Sequence, residues 1–547
     1  MTLDREERNL LIDTLRSYCE QKLPLKRRLE LDARHEYPAE VIDGLFKEVG
    51  LHLLFLPQEC GGMGGGAFDI YRVSEQMARV DLGVATAVLA TFLGTDPIVV
   101  GATEEQKKHW MTRIAEEGLV VAYAVTEPSV GSDLGAMKAT ARRVMEGDRV
   151  VGYVLNGEKQ FITNGGVAAI TTVLAMAPDG PSFFIVEKGT PGFVPQKPEE
   201  KHGICASNTT AISIEDVQVG VDKLVGGVEG QGLLQAQKVF GYTRLMVAAF
   251  GLGAGDAALE RAVEYSKIRV QGGGLLGSKQ AYTHKLLVPH AVRLEAARAY
   301  IDFVAKRIDS GDTEVVTEGA IAKLVASEAG KAAADAAIQA HGGYGYVREY
   351  EVEKIARDVR ITCIYEGTSE ILEWTVARDR WQQHLKTRGA FWVDAARAMS
   401  DLGALHPDVG ADLVAVSLKA LGTTMERARV ARLTRHQHVL FRLGEMVSRA
   451  ESAAAMSRWA TMPEHDPQRA QPDVLRAMAR IYARETLGFV VDQAMKLLRG
   501  TDAVDAASGA EMARALGSDE IWKGYGTLLA DMDVVARALT GLEFHGS

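Results

Sequence analysis

Leu119-Val120-Val121-Ala122-Tyr123-Ala124-Val125 is where the chain stops repeating as a helix and begins to repeat as a strand. Upstream, from Arg5 to about Gly118, apolar residues such as Leu10, Leu11, Leu15 and Tyr18 recur at helical spacing, and Thr103-Glu104-Glu105-Gln106 reads as a helix start with carboxylates in its first turn. Downstream come short β runs: a pair around Glu146-Gly147-Asp148-Arg149, then 171–176, 183–186 and 210–214, parted by Gly, Pro and Asp turns. Their spacing predicts a small all-β domain of about 100 residues. After Gly232 helical patterns return over 233–267, 279–307, 316–339 and from Glu370 onward, and long helices with short connections predict a bundle. A further helical region begins near Lys386, interrupted by Pro463, Pro467 and Pro472, which predict an exposed loop. The division expected is 1–118 helical, 119–226 β, 227–385 helical bundle and 386–547 extra helical domain.

At 547 residues the chain is too long for one core. It is 47% hydrophobic and 24% charged, with a net charge of −10, and that acidic balance argues against nucleic acid as the main partner. The apolar stretch 83–94 falls short of the ~20 residues of a spanning helix, so no membrane span is expected. The N-terminus, Met1-Thr2-Leu3-Asp4-Arg5-Glu6-Glu7-Arg8, has neither a secretory apolar core nor an acid-poor transit pattern, and a cytoplasmic location is expected. Cys19, Cys60, Cys205 and Cys363 lie far apart, without the paired spacing of a zinc site or a disulfide framework; they read as reduced thiols, and no metal is expected.

Three stretches combine residue types suited to chemistry. In Tyr365-Glu366-Gly367-Thr368-Ser369-Glu370 a carboxylate precedes a glycine and helix-capping residues, which reads either as a catalytic carboxylate on a loop-to-helix corner or as a solvated helix start. Thr126-Glu127-Pro128-Ser129-Val130-Gly131-Ser132-Asp133 and Phe161-Ile162-Thr163-Asn164-Gly165-Gly166 carry hydroxyls beside glycines, suited to a planar, polar-edged ligand and equally to ordinary turn chemistry. Gly342-Gly343-Tyr344-Gly345 has no preceding strand and so is no dinucleotide fingerprint, though it can turn beside a cofactor phosphate. The run Gly61-Gly62-Met63-Gly64-Gly65-Gly66 lacks the lysine and serine of a phosphate loop and reads as a turn.

Strung along an α, small β, α order, these motifs resemble the flavin-dependent acyl-CoA dehydrogenase family over roughly residues 1–385. Ala124-Val125 and the 126–133 stretch look like the family's flavin and substrate loop, and 161–165 like its second flavin loop. Lys201-His202-Gly203-Ile204-Cys205-Ala206-Ser207-Asn208-Thr209 is similar to the segment leading into the last strands. Arg269-Val270-Gln271-Gly272-Gly273 with Gln280 resembles the corner that binds the adenine half of a neighbouring subunit's flavin. Gln339-Ala340-His341-Gly342-Gly343 resembles the pyrophosphate segment, and 365–370 the catalytic-base segment. The resemblance implies an α+β multidomain fold: an N-terminal helical domain, a central small β-barrel and a C-terminal four-helix bundle, assembled as a homodimer or homotetramer. The region 386–547 looks like the extra helical domain of the very-long-chain type. Three positions depart from the family pattern: Gly272 stands where an aromatic is usual, Cys205 where an arginine is often found, and Phe161 where tryptophan is common.

The reaction so implied is FAD-dependent α,β-dehydrogenation of an acyl-CoA thioester to the trans-2-enoyl-CoA, a step of fatty acid β-oxidation, with electrons passing to an electron-transfer flavoprotein. A thioester α-proton is weakly acidic, so the base must be positioned and the carbonyl polarised. The resemblance makes Glu366 the base; it places Thr163 at flavin N5, Thr126 and Ser132 near the ring and the substrate, and Phe161 over the ring. It adds Val125, Gly131, Arg269, Gln280, Gln339, Gly342, Gly343, Thr368 and Glu370 to the flavin contacts, and Tyr242, Arg244, Tyr365 and Gly367 to the substrate contacts. Some relatives carry the base near position 243; Tyr242 and Thr243 offer no carboxylate there. The family's acyl-pocket floor aligns with 84–94, which holds no charge and so suits an uncharged acyl group, with small residues that leave room for a long or bulky one. The rivals are an acyl-CoA oxidase, which passes electrons to oxygen, and a non-catalytic flavoprotein scaffold on the same fold. Arg427, Arg429, Arg432 and Arg435 read as a solvated face or a subunit contact in preference to a membrane-surface patch.

Overall fold

The computed structural model describes residues 2–462 and 470–544, apart from the side chains at 240–242; the expected loop around Pro463 and Pro467 and the side chain of Tyr242 lie outside the described residues. The chain forms two compact units, Met1–Ala254 with Ala305–Val316 and Arg357–Ile361, and Gly255–Val304 with Thr317–Ala356 and Thr362–Ser547.

The first unit opens with helices Arg5–Lys22, Leu25–Arg34, Ala39–Lys47, Ala67–Val80, Leu82–Gly101 and Glu104–Glu117. Local chemistry sets their starts. Asp4 and Glu7 exchange side-chain and backbone hydrogen bonds, and Thr103 and Gln106 do the same, so each first turn has donors met that a helix leaves spare. Asp309 accepts from the amides of Ala67 and Phe68 at 2.7 and 3.0 Å, capping the fourth helix from a distant segment. Leu82–Gly101 is the one helix among the described residues long and apolar enough to cross a membrane by length and composition, extending well past the run expected at 83–94. Its apolar window is 78% buried in the protein. Thr172 and Asn164 of the following sheet domain donate to its Gly94 and Ala87 carbonyls at 2.9 and 2.8 Å.

Seven strands follow, β1 (Val121–Ala124), β2 (Thr140–Glu146), β3 (Arg149–Thr163), β4 (Ile170–Ala177), β5 (Gly180–Glu187), β6 (Phe193–Pro198) and β7 (Thr209–Gly220). They form one curled sheet in the order β1-β4-β2-β3-β7-β6, with β5 also paired to β4. This is the small β domain expected, its core built on Ala122, Val173, Phe184, Ile212 and Val217. Two strand segments do not follow the alternation a sequence reading relies on. The second half of β3 runs through Gly157, Glu158 and Lys159 and shifts register against β7 on both sides of that stretch. β6 carries Pro195 and Pro198, tolerated because it is the last strand in the order and needs no full ladder.

The second unit is helical. Helices Val316–His341 and Ser369–Thr387 belong to the bundle region, and Ala390–Leu405, Ala411–Val430, Gln437–Trp459, Pro472–Gly500 and Leu528–Thr540 to the extension. The single helix expected over 279–307 is broken at Leu287 into Gln280–Leu286 and Val288–Asp309, and the corner before it contains a short hairpin, Val270–Gln271 with Gly274–Leu275. Extension and bundle share one interior. Ser369–Thr387 packs along Gln437–Trp459, and between them Arg380 donates to Glu451 at 2.6 Å and to Glu318 at 2.9 Å, while the Tyr300 hydroxyl donates to Glu451 at 3.1 Å. A buried guanidinium against two carboxylates is retained only when its donors are met, and here they are. Arg427, Arg429, Arg432 and Arg435 are exposed, and Arg429 pairs with Glu426 on its own helix. All four cysteines are free and buried, as expected of reduced thiols.

Candidate active site

In the first unit two loops leave the sheet, 125–133 after β1 and 161–166 at the end of β3. Beneath them lies Lys159, fully buried, whose Nζ donates to Glu127 Oε1 at 2.8 Å and to the Val125 carbonyl at 3.1 Å. Glu127 also accepts from the amides of Lys138 and Ala139, at 2.7 and 3.0 Å. Burial alone would raise its carboxyl pKa; Lys159 and the two amides outweigh that and hold it below the usual range, so it stays ionised. Burial lowers the pKa of the Lys159 ammonium, and Glu127 offsets only part of that pull. The Gln160 amide donates to the Thr126 carbonyl at 2.9 Å, so the two loops are tied to each other as well as to the lysine.

That support leaves the expected ligand-binding groups free to face outward. Gly131 and Ser132 are exposed, Thr126 and Thr163 half-buried, and the Phe161 ring is 64% exposed. Phe161 and Asn164 both sit in the left-handed region, at φ 59° and 63°, an uncommon conformation for a bulky aromatic. Asn164 is held there by its side-chain amide on the Ala87 carbonyl and its backbone N–H on the Asn208 carbonyl, each at 2.8 Å.

In the second unit the 365–370 stretch is a corner. Glu366 has φ 55° and Gly367 φ 97°, so the carboxylate-bearing residue itself takes the left-handed conformation expected only of the glycine. Thr368 caps helix Ser369–Thr387 by accepting from the Ile371 amide at 3.3 Å. Tyr365, Glu366, Gly367 and Thr368 are half-buried, whereas Glu370 points to solvent. One turn further on, Glu373 is pushed up to about 7, first by burial and then by Glu445, Glu370 and Glu328, with Arg442 at 3.7 Å opposing.

The same unit holds a cavity of about 550 Å³ lined by Tyr265, Arg269, Tyr282, Gln339, His341, Gly342, Gly343 and Tyr344 among others. Arg269 lies over the Tyr344 ring at 5.8 Å, and Tyr265 stacks on His341 at 4.5 Å. His341 Nδ1 donates to the Ala337 carbonyl at 2.8 Å, and burial lowers its pKa, keeping the ring neutral at neutral pH. Gly342, at φ 61°, stands where no atom crowds a would-be Cβ, which leaves its backbone open to the cavity. A cation, an open glycine backbone and aromatic faces are what an anionic ligand with a flat head requires.

Arg269, Gln339, Gly342 and Gly343 thus line one cavity, and Gln280 is not among its lining residues. The Gln280 amide instead donates to Asp533 of the last extension helix at 2.9 Å, beside His284, whose Nε2 lies 3.2 Å from the same carboxylate. Arg244, expected either at a substrate site or on a helix surface, is buried. Sequence reading missed Lys159, which sits two residues before Phe161 in a polar stretch, and the aromatic walls Tyr265 and Tyr282, which helical spacing alone makes ordinary core positions.

Residues 5–118, 122–217 and 230–380 match the acyl-CoA dehydrogenase N-terminal, middle and C-terminal domain families. The chain is 37% identical over 354 residues to an acyl-CoA dehydrogenase of Bacillus subtilis, covering 64% of this chain and 91% of that one. It is 35% identical over 379 residues to an acryloyl-CoA reductase (NADH) of Anaerotignum propionicum, covering 68% and 94%. A Bacillus anthracis acyl-CoA dehydrogenase complexed with FAD superposes with a TM-score of 0.85 at 25% identity, over 99% of this chain and 96% of that one.

Replacing Lys159 with Met strands the Glu127 carboxylate in the interior and lowers stability by ~3–5 kcal/mol, read as a shift in the denaturant midpoint of the first unit. A second expectation concerns pH. A carboxyl raised from 4.5 to about 7 binds its proton more tightly in the folded state, so the Glu373 contribution is fully present at acid pH and is lost as pH rises through that window. Thermal unfolding of wild type and Glu373→Gln across the same range should show the variant free of that decline, a difference of up to about 3 kcal/mol.

Proposed function

The chain belongs to the acyl-CoA dehydrogenase family of FAD flavoenzymes, and from that premise we propose that it desaturates an uncharged acyl-CoA thioester to the trans-2-enoyl-CoA with Glu366 as the base. The observation that carries this is the corner itself: a half-buried carboxylate in a left-handed backbone, immediately before a capped helix. The alternative position offers no competitor, since Thr243 is buried and donates to the Val239 carbonyl.

FAD, when bound, supplies at N5 the acceptor for the hydride that leaves the β-carbon. The residues present suit it. Arg269 would hold the adenine half of a neighbouring subunit's flavin, with the Tyr344 face beside the cation, and Gln339, Gly342 and Gly343 would hold the flavin pyrophosphate. Val125, Thr126, Gly131, Ser132, Phe161 and Thr163 would hold the ring half on loops stiffened by Lys159. Thr368 and Glu370 stand at the start of helix Ser369–Thr387, where the dipole and the cap favour a negative neighbour, and are assigned to the flavin side of the corner. Gln280, whose side-chain amide also donates to Asp533, is assigned with Arg269 to the adenine half of a neighbouring subunit's flavin.

Glu366 accepts the α-proton. Ser132, Tyr242, Arg244, Tyr365 and Gly367 are the substrate contacts assigned, with 84–94 lining the acyl end. The four-part division at 118, 226 and 385, a homodimer or homotetramer, an electron-transfer flavoprotein as acceptor and a cytoplasmic location complete the proposal. An acyl-CoA oxidase on the same residues is the remaining reading.

Glu366→Gln should retain its yellow flavin and lose turnover by ~100- to 10,000-fold, the range a general base contributes; near-normal turnover would remove Glu366 from the role. Anaerobic bleaching of the bound flavin by acyl-CoA thioesters of graded length identifies the substrate. Bleaching by uncharged acyl groups and not by dicarboxylyl ones is expected, with little hydrogen peroxide released in air; stoichiometric peroxide would make the protein an oxidase.

A further inference from the structure

The backbone that carries Glu366 is gripped from one helix. Lys323, on Val316–His341, is fully buried, and its Nζ donates to the Gly367 carbonyl at 2.7 Å. One turn later on the same helix face, the Ser327 hydroxyl, also fully buried, donates to the Thr362 carbonyl at 3.0 Å. Beside it Glu328 accepts from the Ser369 hydroxyl at 2.7 Å and is itself held by Lys331 at 2.5 Å. The contacts fall on positions 362, 367 and 369, so they bracket Glu366 on both sides.

An ammonium is an expensive group to bury, and a leucine or methionine would fill the same space without that cost. What an apolar residue could not do is meet a carbonyl that the left-handed pair Glu366 and Gly367 turns away from any helical ladder. We infer that Lys323, with Ser327 and Glu328, is a positioning device for the catalytic base: it holds the loop so that the Glu366 carboxylate stands where an α-proton can reach it. The inference rests on the assignment of Glu366 as the base. None of the three acts on substrate directly; they act by fixing the backbone from which Glu366 projects.

Proton abstraction can be read apart from hydride transfer by using an acyl-CoA analogue whose β-methylene is replaced by sulfur. Its α-hydrogen remains acidic, but it has no β-hydride to lose, so exchange of that hydrogen with deuterium from solvent reports the base alone. The holoenzyme is compared with Lys323→Met, Ser327→Ala and Glu366→Gln, recording bound flavin, affinity for the analogue and exchange rate. Lys323→Met is expected to keep its flavin and bind the analogue within about twofold, yet exchange ~10- to 100-fold more slowly, the loss that a displaced catalytic group produces. Ser327→Ala, a smaller change that spares the fold, should slow exchange in the same sense. Wild-type exchange in flavin-replete Ser327→Ala and Lys323→Met, alongside abolished exchange in Glu366→Gln, would overturn the positioning role and leave the base assignment standing. If exchange falls only in proportion to lost flavin, the three residues serve stability alone and the inference fails. Normal exchange in Glu366→Gln would instead overturn the base assignment on which it rests.

Discussion

A carbonyl that leaves regular secondary structure inside a protein must still find a donor, and in this chain the donor is twice a fully buried lysine. Lys159 meets the Val125 carbonyl under the first flavin-type loop, and Lys323 meets the Gly367 carbonyl under the Glu366 corner. Both lysines project from regular elements, a strand and a helix, into irregular backbone that bears the candidate catalytic and cofactor groups. In a dry interior a charge-assisted bond is stronger than a neutral one. Above them Phe161 and Glu366 hold left-handed backbone angles, which only well-supported irregular backbone keeps.

Lys159 has a buried counter-charge in Glu127, and that carboxylate is satisfied in turn by two backbone amides, so the cluster closes on itself within the sheet domain. On the Lys323 helix the counter-charge nearest the corner is Glu328, shared between Ser369 and Lys331. Further along Ser369–Thr387, Glu373 and Arg380 carry the corner's helix into the extension, Glu373 through Arg442 and Arg380 through Glu451. The extension is therefore continuous with the bundle's interior rather than an appended module. Its last helix also reaches the cofactor-type cavity's corner, where Asp533 takes up Gln280 and Phe544 packs against His284. A family residue expected to face the flavin is engaged by a segment that shorter relatives lack.

Legibility in the sequence followed interaction range. The capping box at Thr103 and the cap at Thr368 depend on residues three apart and were readable as helix starts; the box at Asp4 has the same spacing. The change of period at 119–125 announced the sheet domain for the same reason. What escaped were the places where local rules are overridden: the bulged half of β3, the proline-bearing edge strand β6, and the break at Leu287 between two stretches of equal helical propensity. Burial of Arg244 escaped as well, since a charged residue on a helix reads as surface until the partner elements are placed.

The sequence by itself determined the order of the domains, the family, and which carboxylate to propose as the base, because these rest on residue types and short spacings. Only the tertiary structure decided that Glu366 as well as Gly367 turns left-handed, that Arg269 and Gly342 share a cavity while Gln280 does not, and that lysines lie beneath the loops. Gly367 and Lys323 are 44 residues apart in the chain, and Val125 and Lys159 are 34. No propensity or spacing links such pairs; packing brings them together, and the cost of an unmet buried carbonyl keeps them there.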